Sequence, residues 1–259
     1  MKFLAVADMH CSEKEQTGTR LHALSLGKLR KALERSAGGC DFIMNLGDTA
    51  QADRGYRPQE ELFSLALAEL DRAGLPFYSV IGNHDTATEK QKVTELLQMP
   101  GRYYRFDSGS YRCLVLDASL NAPDKPYPKT EIKWDECYID NEQGSWLRKE
   151  LAMADRPVLV FSHLNFVLKP GWVEDLHLIV NREEYMRLFA DSGKVAAVFS
   201  GHYHPGDVEM ASGIPYVTFA AMCEGLENTY ALVTVEGSTV RVDGFGTQPS
   251  YKIEDGNLQ

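Results

Sequence analysis

Long apolar runs are missing from this chain, and no uncharged stretch approaches the roughly 20 apolar residues of a membrane-spanning helix. Met1 and Lys2 precede only five apolar residues before Asp8, too few for the core of a secretory signal. Paired cysteines are missing too. The five present, Cys11, Cys40, Cys113, Cys137 and Cys223, are odd in number, widely scattered and never spaced C-x-x-C, which excludes a disulfide framework and a zinc knuckle. Reduced thiols and a cytoplasmic location are therefore expected. The chain also lacks clusters of basic residues. With Lys+Arg 27 against Asp+Glu 37 its net charge is −10, so its long-range field repels phosphate backbones and anionic lipid. This argues against nucleic acid and membrane as partners. Internal repeats and low-complexity tracts are absent as well.

What is present is an ordinary globular composition, 44% hydrophobic and 25% charged, in 259 residues, a length that one core can support. A single domain over 1–259 is the expectation. Apolar runs at 2–7, 41–45, 77–81, 111–117, 157–162 and 195–200 suit strands buried on both faces. Between them, 21–36, 59–73, 89–98, 142–154 and 182–190 carry apolar residues at three-to-four spacing and predict helices. Gly38, Gly74 and Gly193 stand where helix ends favour a left-handed residue. After His204 the pattern becomes strand, turn, strand at 208–211, 214–220, 230–235 and 240–245, which reads as a second, more antiparallel sheet. Two long connections, 118–140 with Pro123, Pro126, Pro128 and Trp134, and 164–181 with Phe166, Pro170, Gly171 and Trp172, are of the kind that form lids or pocket walls.

The residues that follow the buried strands carry the chemistry. Asp8 and His10 follow the first, Gly47 and Asp48 the second, and Gly82, Asn83, His84 and Asp85 the third; His163 and then Gly201, His202 and His204 continue the series. In a layered α/β sheet the carboxyl ends of parallel strands share one edge, so these side chains converge in one crevice. Five of the seven histidines lie at strand ends, leaving only His22 and His177 elsewhere, and neither of those is assigned a role. Neutral imidazoles and carboxylates without thiolate suit manganese, iron, zinc or cobalt. So many ligands exceed the needs of one ion. Two ions bridged by a carboxylate would clamp the attacking and leaving oxygens of an in-line phosphoryl displacement.

The blocks D-x-H, G-D, G-N-H-D, H and G-H-x-H, in this order over about residues 1–250, resemble the calcineurin-like metallophosphoesterase superfamily. The resemblance implies a four-layer αββα sandwich, an α/β fold of two mixed β-sheets flanked by helices. It also implies two divalent metal ions, one held by Asp8, His10 and His204, the other by Asn83, His163 and His202, with Asp48 bridging them. His84 is expected off the metals beside the leaving oxygen, with Asp85 orienting it, and Asn83 and His84 are expected to touch substrate. The segments at 181–201, 222–225 and 244–246 resemble the branch that includes manganese-dependent ADP-ribose and CDP-alcohol diphosphatases, although His10 and Asp85 stand where Gln and Glu are expected in that branch. Gln51 occupies the place of the metal-binding tyrosine of purple acid phosphatases, which argues against an iron(III)-tyrosinate site.

Taken singly, Asp8 or Asp48 reads as a helix cap, Asn83 as a turn residue and His163 as a core histidine; the five blocks together favour the metal site. Cys11, next to His10, reads as a bystander thiol. The expected activity is hydrolysis of a small phosphodiester or nucleoside diphosphate-linked substrate by in-line attack of a metal-bound hydroxide. A phosphomonoesterase with the same site, a non-catalytic scaffold of the same fold and a nuclease are the alternatives. Complete ligand positions weigh against the scaffold, and the lack of a basic track weighs against the nuclease.

Overall fold

A computed structural model describes residues 1–120, 137–169 and 177–259. The chain runs β1 (Lys2–Val6), α1 (Ser25–Ser36), β2 (Phe42–Asn45), α2 (Gln59–Arg72), β3 (Phe77–Ser79), α3 (Lys90–Leu96), β4 (Tyr104–Ser108), β5 (Tyr111–Val115), α4 (Asn141–Met153), β6 (Val158–Phe161), α5 (Arg182–Ser192), β7 (Val195–Ser200), β8 (Asp207–Ala211), β9 (Ile214–Thr218), β10 (Tyr230–Glu236), β11 (Thr239–Phe245), β12 (Tyr251–Glu254) and β13 (Asn257–Leu258). One sheet has the order β13-β12-β11-β10-β1-β2-β3 and the other β4-β5-β6-β7-β9-β8. Both are mixed. The runs β1-β2-β3 and β5-β6-β7-β9 are parallel, while β10 to β13 and the pairs β4-β5 and β8-β9 are antiparallel.

Two-residue alternation explains the layering. Phe3 and Ala5 of β1, Phe42 and Met44 of β2, Leu159 and Phe161 of β6, and Ala197 and Phe199 of β7 meet in the core between the sheets. Their neighbours face outward: Leu4, Val6 and Ile43 against Leu29, Ala32 and Leu33 of α1 and Leu70 of α2, and Leu114, Val160 and Val198 against α4 and α5. Strands with an apolar residue at every position thus serve two cores at once, giving helix, sheet, sheet, helix. Among the described residues no helix is long and apolar enough to cross a membrane.

Several boundaries differ from the sequence reading. The segment after His204 does not form a sheet of its own. Strands β8 and β9 extend the sheet of β5 to β7, whereas β10 pairs with β1 and draws β11 to β13 into the first sheet. Alternation within a strand says which faces are buried but not which neighbour it pairs with. The helix expected from residue 21 begins at Ser25, after a single tight turn at His22–Leu24. The left-handed residue after it is Gly39, with φ +86°, rather than Gly38. Strands β4, β12 and β13 were not anticipated. Phe166 packs in the α4/α5 core against Phe189, ring centroids 5.3 Å apart. Pro123, Pro126, Pro128, Trp134, Pro170, Gly171 and Trp172 lie outside the described residues.

Phe3 joins the two sheets: its ring stacks on Phe42 at 5.0 Å and meets Phe161 and Phe199 of the other sheet edge-on at 5.7 and 5.4 Å. Phe3→Ala is expected to cost about 3–5 kcal/mol in urea unfolding. A loss below about 1 kcal/mol, less than this kind of truncation gives in a packed core, would contradict this packing.

Candidate metal centre

The parallel runs of both sheets end at the same edge, and the loops beyond them turn sharply. Among the described residues seven non-glycine positions have positive φ, and four of these are Asp8 (52°), His10 (44°), Asp48 (49°) and His202 (68°). Such conformations cost roughly 1–3 kcal/mol each and persist only where the surroundings enforce them. The motif glycines answer to the same crowding. A Cβ on Gly82 would fall on the amide and carboxylate of Asp48, and one on Gly201 would lie 2.7 Å from Asp8 Oδ2.

The side chains of these loops meet at that edge. Asp48 Oδ2 lies 3.4 Å from His10 Nε2 and 3.3 Å from His163 Nε2, between two groups of ligand atoms. On one side Asp8 Oδ1 is 3.9 Å from His10 Nε2 and 3.6 Å from His204 Nε2. On the other, Asp48, His163 and His202 offer ligand atoms within 4.8 Å of one another, and Asn83 Oδ1 is 3.2 Å from His163 Nε2. The second carboxylate oxygens are held by backbone amides: the His84 N–H donates to Asp48 Oδ1 at 2.8 Å and the His202 N–H to Asp8 Oδ2 at 2.9 Å. Each carboxylate is therefore anchored by one oxygen and presents the other.

Three imidazoles are aimed from behind by oxygen acceptors: Leu46 O at 2.8 Å from His163 Nδ1, Glu224 Oε1 at 2.6 Å from His204 Nδ1, and Gln51 Oε1 at 3.1 Å from His10 Nδ1. With a cation in place, donation from Nδ1–H would leave each Nε2 lone pair facing the cluster, the arrangement that orients metal-binding histidines. Burial would raise the Asp48 carboxyl, but His163, His84 and His10 overcome it and hold the group well below the usual carboxylate range. The same buried pairing, against the pull of burial itself, lifts His163 to about 10, chiefly through Asp48. Burial raises Asp8 and drives His10 well below the ordinary imidazole range. Glu224, hydrogen-bonded to His204, is lowered to about 2.

Asp85 sits differently from the expectation. Its hydrogen bonds run to the backbone amides of Thr49 (2.8 Å), Ala50 (3.3 Å) and Gly82 (2.9 Å) rather than to the His84 ring, so it knits the Asp48 loop to the Asn83 loop. Burial, then the nearby Asp48, pushes it up to about 7. His84 is half-buried with its ring 4.7 Å from that of His10. Cys11 is buried, and burial raises its thiol to about 12.

Four residues join the site that the strand-end pattern did not single out. Arg20 and His177 line the same cleft of about 380 Å³ as Asp48, Asn83, His84, His202 and His204. Cys223 groups with His10 and His204, and Glu224 orients His204. The segment 222–225 drew attention only through resemblance to the diphosphatase branch. Arg20, in the turn before α1, carries no sequence signal. His22 is buried with its ring Nδ1 2.9 Å from the backbone carbonyl of His10. A larger cavity of about 610 Å³ lies at the starts of β6 and β7 and is lined by residues such as Arg156, Lys194 and Ser238, without a histidine. The chemistry belongs to the smaller one.

The residues fit a pair of divalent cations. Asp8 Oδ1 and His10 Nε2 are buried and have no hydrogen-bond partner among the described residues, a costly state that a cation relieves. The donors are nitrogen and carboxylate oxygen, the set suited to manganese, iron, zinc or cobalt.

A family model described as calcineurin-like phosphoesterase matches residues 1–206, a span that takes in every block from Asp8 to His204. The chain belongs to the calcineurin-like phosphoesterase family. The chain is 29% identical over 208 residues to a serine/threonine-protein phosphatase, CPPED1, from Danio rerio, covering 75% of this chain and 64% of that protein. It is 28% identical over 238 residues to a manganese-dependent ADP-ribose/CDP-alcohol diphosphatase from Oryza sativa, covering 75% of this chain and 73% of that protein. In fold it resembles the crystal structure of a dimetal phosphatase from Danio rerio, with TM-score 0.83, 19% identity and coverage of 97% and 98% of the two chains. The chain spans 50 to 64% of the length of the curated relatives it matches first.

Because Asp48 faces both groups of ligands, Asp48→Asn is expected to remove both ions together in elemental analysis of protein dialysed against manganese. Retention of two ions per chain would show that the two groups of ligands do not both depend on Asp48.

Proposed function

We propose that this phosphoesterase hydrolyses a small phosphodiester or nucleoside diphosphate-linked substrate, using two divalent ions drawn from manganese, iron, zinc and cobalt. Asp8, His10 and His204 would hold one ion, Asn83, His163 and His202 the other, and Asp48 would bridge them. The observation that carries this reading is the position of Asp48 Oδ2, 3.4 and 3.3 Å from one imidazole of each group. The names of the relatives support phosphoryl chemistry and leave monoester, diester and pyrophosphate substrates to the surrounding residues. The cleft, with Arg20 and His177 beyond the ligand set, has room for more than a bare phosphate.

Two bound divalent ions would supply Lewis acidity and lower the pKa of water from 15.7 to about 7. The chain's residues do the rest. Anchored carboxylates and pre-aimed imidazoles keep the site in one geometry, so little reorganisation accompanies reaction. Asn83 and His84 line the cleft and would contact the phosphoryl group. The His84 backbone is fixed on Asp48 Oδ1, and its imidazole, which lines the cleft, would give a proton to the departing oxygen. Asp85 acts on these groups through the backbone it ties together. An acidic exterior with about +4 of local cation charge favours small phosphoesters over long nucleic acids.

A manganese-supplemented panel of nitrophenyl phosphate, bis-nitrophenyl phosphate, a cyclic nucleotide, ADP-ribose and a CDP-alcohol tests the proposal. Turnover of a diester or a diphosphate-linked compound above nitrophenyl phosphate is expected. Turnover of the monoester alone would favour the phosphomonoesterase, and no turnover with two ions bound would favour the scaffold. His84→Ala is expected to slow alkyl esters by about 10²–10⁴ while sparing nitrophenyl esters, whose leaving group needs no proton. Equal losses on both would remove the acid role.

A further inference from the structure

Helix α1 buries Ser25, Lys28, Leu29, Ala32, Leu33 and Ser36, the regular stripe of a core-facing helix. One member of that stripe is a lysine, a residue almost never fully buried unless paired. Lys28 is 5% exposed, and its partners are not carboxylates. Its Nζ donates to the carbonyls of Met222 at 2.8 Å, Glu224 at 3.2 Å and Gly225 at 2.7 Å, using three donors on one tight turn.

That turn borders the metal centre on the side of Asp8 and His204. Met222 N–H donates to Ala7 O at 2.9 Å and Cys223 N–H to Asp8 O at 3.1 Å, tying it to the first ligand loop. Leu21 N–H donates to Cys223 O at 2.8 Å, and Gly225 N–H donates to Thr19 O at 3.1 Å. From this turn Glu224 reaches His204 Nδ1 at 2.6 Å, and Cys223 Sγ stands 4.0 Å from the same nitrogen. The three bonds of Lys28 all go to this turn.

We propose that Lys28 is a positioning residue for one ion of the pair: by clamping the carbonyls of turn 222–225 it fixes Glu224 on His204, and so sets the affinity of the Asp8, His10 and His204 ion without affecting the other. This rests on the two-ion reading. A carbonyl clamp suits the task because a flexible ammonium satisfies three acceptors that converge on one point, which a neutral or planar side chain does not. Burial lowers the lysine from its usual value, the mark of a charge held where core packing would be simpler.

Manganese titration by calorimetry, with paramagnetic resonance to follow ion coupling, tests this on the wild type, Lys28→Met, Glu224→Ala and the double variant. Wild type is expected to bind two ions. Each single variant is expected to weaken one of them by about 10- to 100-fold, the usual effect of losing an outer partner, while the other keeps its affinity. The double variant is expected to be no weaker than the weaker single, because both substitutions break one chain of contacts. If Lys28→Met does not fold by circular dichroism, Lys28→Gln, too short to span the three carbonyls, takes its place. Unchanged affinities at both sites, equal weakening of both, or losses that add in the double variant would overturn the proposal. Fewer than two ions on the wild type would overturn the two-ion reading itself, and the proposal with it.

Discussion

Two carboxylates, Asp8 and Asp48, are buried side by side among imidazoles, and most of this structure follows from keeping them there. Desolvating one carboxylate is costly, and desolvating two near each other costs more unless positive charge lies between them. Imidazoles supply part of that charge, which is why His163 is lifted to about 10 by Asp48. They do not complete it, since Asp8 Oδ1 and His10 Nε2 find no hydrogen-bond partner among the described residues. A buried site that is polar, crowded and incompletely satisfied is poor design for stability alone. It is good design for holding cations.

The loops around that pair spend stability on geometry. Left-handed backbone at Asp8, His10, Asp48 and His202, glycines with no room for a Cβ, and a carboxylate at Asp85 that binds three amides all restrict the ligands to one arrangement. The two sheets make this affordable. Their alternating apolar strands form a core between the sheets and another on each outer face, so the edge where the loops emerge rests on rigid support.

The ligand side chains were legible because each follows a buried strand within a few residues, and strand ends are where a layered sheet gathers function. A layered α/β domain was legible from continuous apolar strands that need cover on both faces, whereas the αββα order came from the resemblance of the motif blocks. Partner choice among the later strands was not: nothing in 230–235 distinguishes pairing with β1 from pairing with β9, since both neighbours offer the same apolar alternation. Nor were the supporting contacts. Glu224 reaches His204 from 20 positions away in the chain and Lys28 reaches the turn at 222–225 from nearly 200, so neither leaves a local pattern. The resemblance had Asp85 orienting His84, whereas tight turns in the folded chain give its carboxylate three backbone amides. Lys28 did leave one trace, a charged residue on an otherwise core-facing stripe of α1.

The most direct measurement is anomalous scattering from crystals grown with manganese. A centre bridged by Asp48 predicts two peaks about 3.5–4 Å apart, one on the side of His10 and His204 and one on the side of His163 and His202. A single peak, or two peaks with Asp48 bound to only one of them, would contradict it.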